Sequence, residues 1–163
     1  CVSSSGVYGP SNNSMLIANK VEELLRHKVK DITVIEQQQL NDWIDKHDWD
    51  QMDYLEIGRG VNAEMVVAID VESFSTHDSP TLFKGKADVK TTVYDMTQKG
   101  KMVFSKGPIP IVYPKNGGHH STSTTEAHFR RKFIAELATQ VAKYFYAYPL
   151  KEDFASDTPN IDG

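Results

Sequence analysis

Residues 64–113 constrain this chain most, because they alternate apolar and polar side chains over consecutive stretches, a period of two that suits a sheet with one buried face. In the first stretch Met65, Val67, Ile69 and Val71 point one way, and Ala68, Asp70 and Glu72 the other. A turn at His77-Asp78-Ser79-Pro80 leads to the second. There Phe83, Gly85, Ala87, Val89, Thr91 and Val93 share the inner face, while Lys84, Lys86, Asp88, Lys90 and Thr92 are expected to face water. Such lysines either meet an anionic surface or guard the sheet against pairing with other chains. Gln98-Lys99-Gly100 reads as a hairpin turn into a third strand at 101–105. Pro108, Pro110 and Pro114 then require an extended run that cannot lie in the middle of a sheet, since proline donates no ladder hydrogen bond.

The flanking stretches carry a helical period instead. Over 12–30, Ile17, Ala18, Val21, Leu24 and Leu25 form one stripe, with Asn12, Asn13 and Ser14 as candidate caps and Pro10 closing the preceding loop. Ile32-Thr33-Val34-Ile35 reads as a short buried strand. A second helix buries Leu40, Trp43, Ile44 and His47, and a third opens at Asp53 with Glu56 three residues on and ends at Gly58 and Gly60. A last long helix is capped by Ser123 with Glu126, buries Phe133, Ile134, Leu137, Ala138, Val141 and Phe145, and stops at Pro149. The expected fold class is α/β (α+β): a small mixed sheet covered by helices, in the order (β)αβααβββα. Residues 1–150 form one domain and 151–163 an acidic, loosely ordered tail.

Composition bounds function. With 163 residues, 39% apolar and 25% charged, the chain can bury a core. No stretch approaches the roughly 18 residues of unbroken apolar sequence that a spanning helix needs. The net charge of −4 disfavours a nucleic-acid partner. A lone Cys1 cannot form an internal disulfide, and three readings are open for it. It is a lipidated cysteine behind the Ser-rich tether Ser3-Ser4-Ser5-Gly6, an N-terminal thiol nucleophile, or, with Val2, the end of a first strand.

Few motifs carry chemistry. Gly58-Arg59-Gly60-Val61-Asn62-Ala63 has letters of a dinucleotide fingerprint but leaves a helix and enters a strand, the reverse of what a phosphate-binding turn requires. Its glycines read instead as helix-ending positions open to positive φ. Asp45, His47, Asp48, Asp50 and Asp53 cluster around Trp43 and Trp49 without calcium-loop spacing, so Asp48 and Asp50 read as turn residues. His119, His120 and His128 form a histidine group on a Gly-rich loop and the following helix turn, better suited to touching a partner than to holding zinc. No Gly-x-Ser-x-Gly elbow is present. In Tyr144-Phe145-Tyr146-Ala147-Tyr148, Phe145 is expected to be buried and Tyr146 to project outward as an interface anchor.

Several of these segments resemble a family. Val34-Ile35-Glu36-Gln37-Gln38-Gln39-Leu40, Ile57-Gly58-Arg59-Gly60-Val61-Asn62-Ala63-Glu64-Met65-Val66-Val67 and the hairpin Asp95-Met96-Thr97-Gln98-Lys99-Gly100-Lys101-Met102-Val103-Phe104 are similar to the curli-secretion-channel-like and penicillin-binding-protein-activator-like envelope lipoproteins, with a TolB N-terminal-like domain. The likeness spans most of the chain. It extends to Pro108-Ile109-Pro110, Tyr113-Pro114-Lys115-Asn116-Gly117 and Phe129-Arg130-Arg131 in uncharacterised members. The resemblance implies a helix-covered sheet used for binding or assembly on the periplasmic side of a bacterial envelope, anchored by lipid, with no cofactor and no catalytic residue. It aligns Cys1-Val2 with the end of a first strand. The long membrane-crossing hairpins of the channel members have no counterpart here, so a pore by itself is not expected. The expected contact residues are Tyr113, Asn116, Gly117, His119, His120, His128 and Tyr146, facing an envelope protein or a second copy. The rival reading is a hydrolase using Cys1 or a zinc held by His119 and His128.

Overall fold

A computed structural model describes residues 2–4, 12–47 and 53–147. Strand β1 (Val2–Ser4) precedes helices α1 (Asn12–Lys28), α2 (Gln37–Asp45) and α3 (Tyr54–Gly60). Strands β2 (Met65–Ser79) and β3 (Leu82–Asp95), a 3-10 turn at Met96–Gln98, β4 (Lys101–Tyr113), the two-residue β5 (His119–His120) and helix α4 (Glu126–Ala142) follow. The sheet order is β1-β2-β3-β4, with β5 also on β3; only β1 runs parallel to its neighbour, so the expected mixed sheet and α+β class are observed.

Register follows the alternation. Val67, Ile69 and Val71 stand opposite Val93, Thr91 and Val89, and this face meets α1 and α4 side by side. Ile17, Ala18 and Val21 of α1, and Phe129, Phe133, Ile134, Leu137, Ala138 and Val141 of α4, close the main core. Phe83, Ala87 and Val89 are buried, Lys86 is exposed, and Lys84 and Lys90 are half-buried on the other side. Lys86 Nζ lies 2.5 Å from Asp78 Oδ1, so this lysine answers an acid of the neighbouring strand. Its ammonium holds the Asp78 carboxyl below the usual range.

Several expectations need correction. Residues 32–35 are not a strand: the edge of β2 they could have joined is taken by β1 at Ile69–Val71, Asp31 turns the chain with φ 58°, and Ile32 stays 42% exposed. Arg26 Nη2 donates to the Val34 carbonyl at 2.8 Å, and Ile35 packs on a second core made by Leu40, Ile57 and Val61. The second face of the sheet is not wholly wet. Ala68, Val66 and Thr92 are buried there because α3 and the 3-10 turn cover that end, where Val66 and Met96 would meet any Cβ on Gly58. Gly58 therefore lies inside α3, and the positive φ after the helix falls on Asn62. Met65, expected inside, is 49% exposed at the strand's very start. His47 also leaves the core: it is exposed, stacked 4.0 Å from the Trp43 ring.

Bulges adjust the strands. Between Val71 and Ser73 the register slips, so Phe74 and not Ser73 turns inward, its ring 5.1 Å from Phe133. The proline-bearing run is one edge strand with 101–105, as its chemistry demands, and Gly107 (φ 102°) marks a break in the ladder between Ile109 and Lys106. A Cβ there would sit 2.5 Å from the Val89 carbonyl oxygen, so only glycine passes. The cap of α4 is Thr125, not Ser123, whose hydroxyl donates to the His120 carbonyl. Helix α4 ends at Ala142; Phe145 packs beyond it, 6.5 Å from Phe104 of β4. Cys1, the tether at Ser5-Gly6, Pro10, Asp48, Trp49, Asp50, Tyr148, Pro149 and the tail 151–163 lie outside the described residues.

The two sides of β3 should respond differently to substitution. Val89→Asp places an unpaired charge in the main core and is expected to lower the unfolding free energy by about 3 kcal/mol or more, whereas Lys90→Ser should stay within about 0.5 kcal/mol. Urea denaturation of both variants measures this, and equal losses would refute the assigned register.

Candidate functional site

The expected contact residues divide into two places. At one end of the sheet, β4 delivers Tyr113, β3 Phe83, β2 His77, β5 His119 and the first turn of α4 Phe129 to one aromatic corner. Phe129, 1% exposed, is its centre: Phe83 stacks on it at 5.5 Å, Tyr113 tilts at 5.8 Å and His119 meets it edge-on at 5.8 Å. His77 presents its edge to Phe83 at 5.0 Å. Offset and edge-to-face arrangements of this kind suit the ring quadrupoles and hold the chain beyond β4 in place.

Local hydrogen bonds fix the loop on that corner. Strand β5 pairs His119 with Phe83 and His120 with Leu82, and Ser121 N donates to the Thr81 carbonyl at 3.0 Å. Thr125 Oγ1 accepts from His128 N at 3.2 Å, which satisfies one of the free amides at the start of α4. Below the loop, Glu126 Oε1 accepts from Thr76 Oγ1 at 3.3 Å and from Arg130 Nη2 at 2.8 Å, tying the helix to β2. Asn116, Gly117, His120 and His128 are exposed on this frame, while Tyr113 and His119 are half-buried. Tyr146, also half-buried, is elsewhere: α4 separates it from the corner by roughly 25 Å at 1.5 Å per residue, and Lys28 Nζ lies 5.9 Å from its ring. It roofs the end of α1 and does not join the other contact residues.

His119, read as a loop residue, thus belongs to a strand and an aromatic cluster. His77, Phe83, Thr76 and Arg130 were not expected at the site, and no local signal could have placed them: Thr76 and Glu126 stand fifty positions apart and meet only through the fold. Among the described residues no three His, Cys, Asp or Glu side chains converge on a point that could hold a metal ion. Cys1 lies outside them. Elsewhere, an open cleft of about 410 Å³ lies between α2 and α3 and is bordered by Gln38, Asp42, Trp43 and Lys46. The Trp43 ring there stacks on His47 and also crowds Gly60, which has no room for a Cβ. Asp53, one of the acids of that region, spends its carboxylate on the amides of Leu55 and Glu56 as the cap of α3.

No protein-family model and no curated protein matches the chain. Solved structures do. The lipoprotein GNA1162 from Neisseria meningitidis superposes with a TM-score of 0.52 at 12% identity, covering 87% of this chain and 92% of that one. The hypothetical protein CT253 from Chlamydia trachomatis gives 0.48 at 14% identity, covering 88% and 92%. A candidate lipoprotein from Caulobacter crescentus gives 0.47 at 10%, covering 86% and 84%. At such identities the likeness to GNA1162 is one of fold. No helix among the described residues is long and apolar enough to cross a membrane.

Burial pushes the Tyr113 phenol above its ordinary 10.0, and the Glu136 carboxylate adds to the shift. The folded state therefore favours the neutral phenol, a contribution present below the ordinary tyrosine range and lost as pH climbs through the raised value. Absorbance titration near 295 nm should show a late-ionising tyrosine component that is lost in Tyr113→Phe and moved part of the way down in Glu136→Gln. Separately, Thr125→Ala should destabilise the fold by about 1 kcal/mol in thermal unfolding, by loss of the α4 cap.

Proposed function

We propose that this chain is a non-enzymatic subunit of a bacterial cell envelope, held at the periplasmic side by a lipid anchor, which binds or assembles with another envelope protein through the loop on the aromatic corner. One observation carries the reading: residues 114–128 are pinned to the core by Phe129, Tyr113 and His119, yet present Asn116, Gly117, His120 and His128 to solvent. A surface whose backbone is already ordered loses little entropy on docking, which favours recognition. The shared fold with the meningococcal lipoprotein GNA1162 supports the envelope setting, and the sequence resemblance to envelope lipoproteins with a TolB N-terminal-like domain agrees with it. Self-association through the same loop is the other form this binding can take.

A photo-crosslinking residue placed at His120 or His128, with Lys30 after α1 as the control position, tests the reading in cells that make the protein. Discrete adducts at the two histidine positions and none at Lys30, in a membrane fraction, are expected. Adducts of equal yield at all three positions, recovery of the chain free of membranes, or stoichiometric zinc in the purified protein would overturn it.

A further inference from the structure

The geometry points to a second docking surface at the opposite end of β4 from the aromatic corner: the outer edge of residues 101–106 takes an extended, acid-flanked segment of another protein as an added strand. Among the described residues β4 pairs only with β3, so its other edge carries backbone groups without a neighbouring strand. The two halves of that edge differ. Beyond Lys106 the ladder is closed to newcomers by Gly107, turned to φ 102°, and by Pro108 and Pro110, which have no N–H to offer. Residues 101–106 contain no proline, and they expose Met102 by 57% and Val103 by 47%. Val103 stands in a bulge: Met102 faces Tyr94 and Phe104 faces Val93, leaving Val103 opposite no β3 residue.

Charge selects the occupant. Residues 99–115 contain Lys99, Lys101, Lys106 and Lys115 and no acid. Asp95, which stands opposite Lys101 in the ladder, is engaged inside its own turn, accepting from Thr97 N at 2.9 Å, Thr97 Oγ1 at 2.6 Å and Gln98 Nε2 at 2.6 Å. A second copy fits poorly, because its own 101–106 edge brings no acid to meet these lysines in any register, and with Val103 opposite Phe104 it sets Lys101 against Lys106 twice. A segment with apolar residues facing Met102 and Val103 and an Asp or Glu at each end satisfies both the ladder and the lysines. This surface is independent of the proposed loop contact, so either can fail without the other.

The test uses the full chain and a fluorescein-labelled peptide of alternating valine and threonine with two aspartates at each end, followed by anisotropy. Saturable binding that weakens as salt rises is expected, with no binding of the same peptide carrying lysines for aspartates. Val103→Pro removes a backbone N–H from the middle of the segment, at a residue outside the β3 pairing, and stiffens it against accepting a strand, so it should abolish binding. Lys101→Gln with Lys106→Gln, which leaves the backbone intact and sets no acid opposite Asp95, should weaken it at least tenfold at an unchanged melting temperature. Absence of saturable binding, or equal binding by the double variant, would overturn the proposal. So would a concentration-dependent dimer lost in Val103→Pro, which would give the edge to a second copy, or binding seen only after removal of 151–163, which would give it to the chain's own acidic segment.

Discussion

The seating of α4 on β3 is the contact on which the rest of this molecule depends. Phe133 lies where a Cβ on Gly85 would stand, 2.4 Å from the ring's Cγ, so the helix approaches the sheet more closely than any side chain at that position would permit. That approach lets Leu137, Ala138 and Val141 reach full burial and brings Phe129 down onto Phe83 and Tyr113. Helix α1 then needs only one stripe, Ile17, Ala18 and Val21, to close the layer beside α4. Close packing of this kind makes volume at a single position consequential, because interiors have little spare space to absorb a change.

The sheet is asymmetric as a result. One face is sealed along most of its length by two long helices, whereas among the described residues the other is sealed where the short α3 lies, over Val66, Ala68 and Thr92. Tyr54 of α3 donates its hydroxyl to Asp70 and stacks near Tyr94 at 6.5 Å, so a polar anchor and an aromatic one hold a seven-residue helix that could not persist alone. The lysine-bearing remainder of that face stays in contact with solvent and so keeps the sheet from stacking on another.

Strand β4 links the two surfaces of interest. Its last residue, Tyr113, enters the aromatic corner that supports the histidine loop, and its first half forms the lysine-flanked edge that no described strand covers. Between them Gly107 and the prolines break the strand into a segment able to accept a partner and a segment that cannot. Both surfaces rest on backbone held by the main core, which suits binding better than a loop that must order itself on contact.

Alternation by itself determined the inner face of β3 and that of β2 at Val67, Ile69 and Val71, because a period of two admits one burial pattern per strand; the bulge after Val71 and the reach of β2 to Ser79 lay beyond it. Helical period did the same for the stripes of α1 and α4, and proline chemistry for the edge position of β4. The contact loop was legible as a Gly-rich, histidine-bearing connection, but not its frame. His119 joins a strand, Tyr146 departs to the far end of α4, and Thr76, His77 and Arg130 arrive from elsewhere, since nothing local encodes contacts between residues fifty positions apart. The same limit explains 32–35: four β-branched or apolar residues have strand propensity, yet a strand exists only where an edge is free, and β1 holds that edge. Propensity and period are properties of neighbours along the chain, whereas edge occupancy, helix seating and the second buried face of the sheet are decided by which distant surfaces come together.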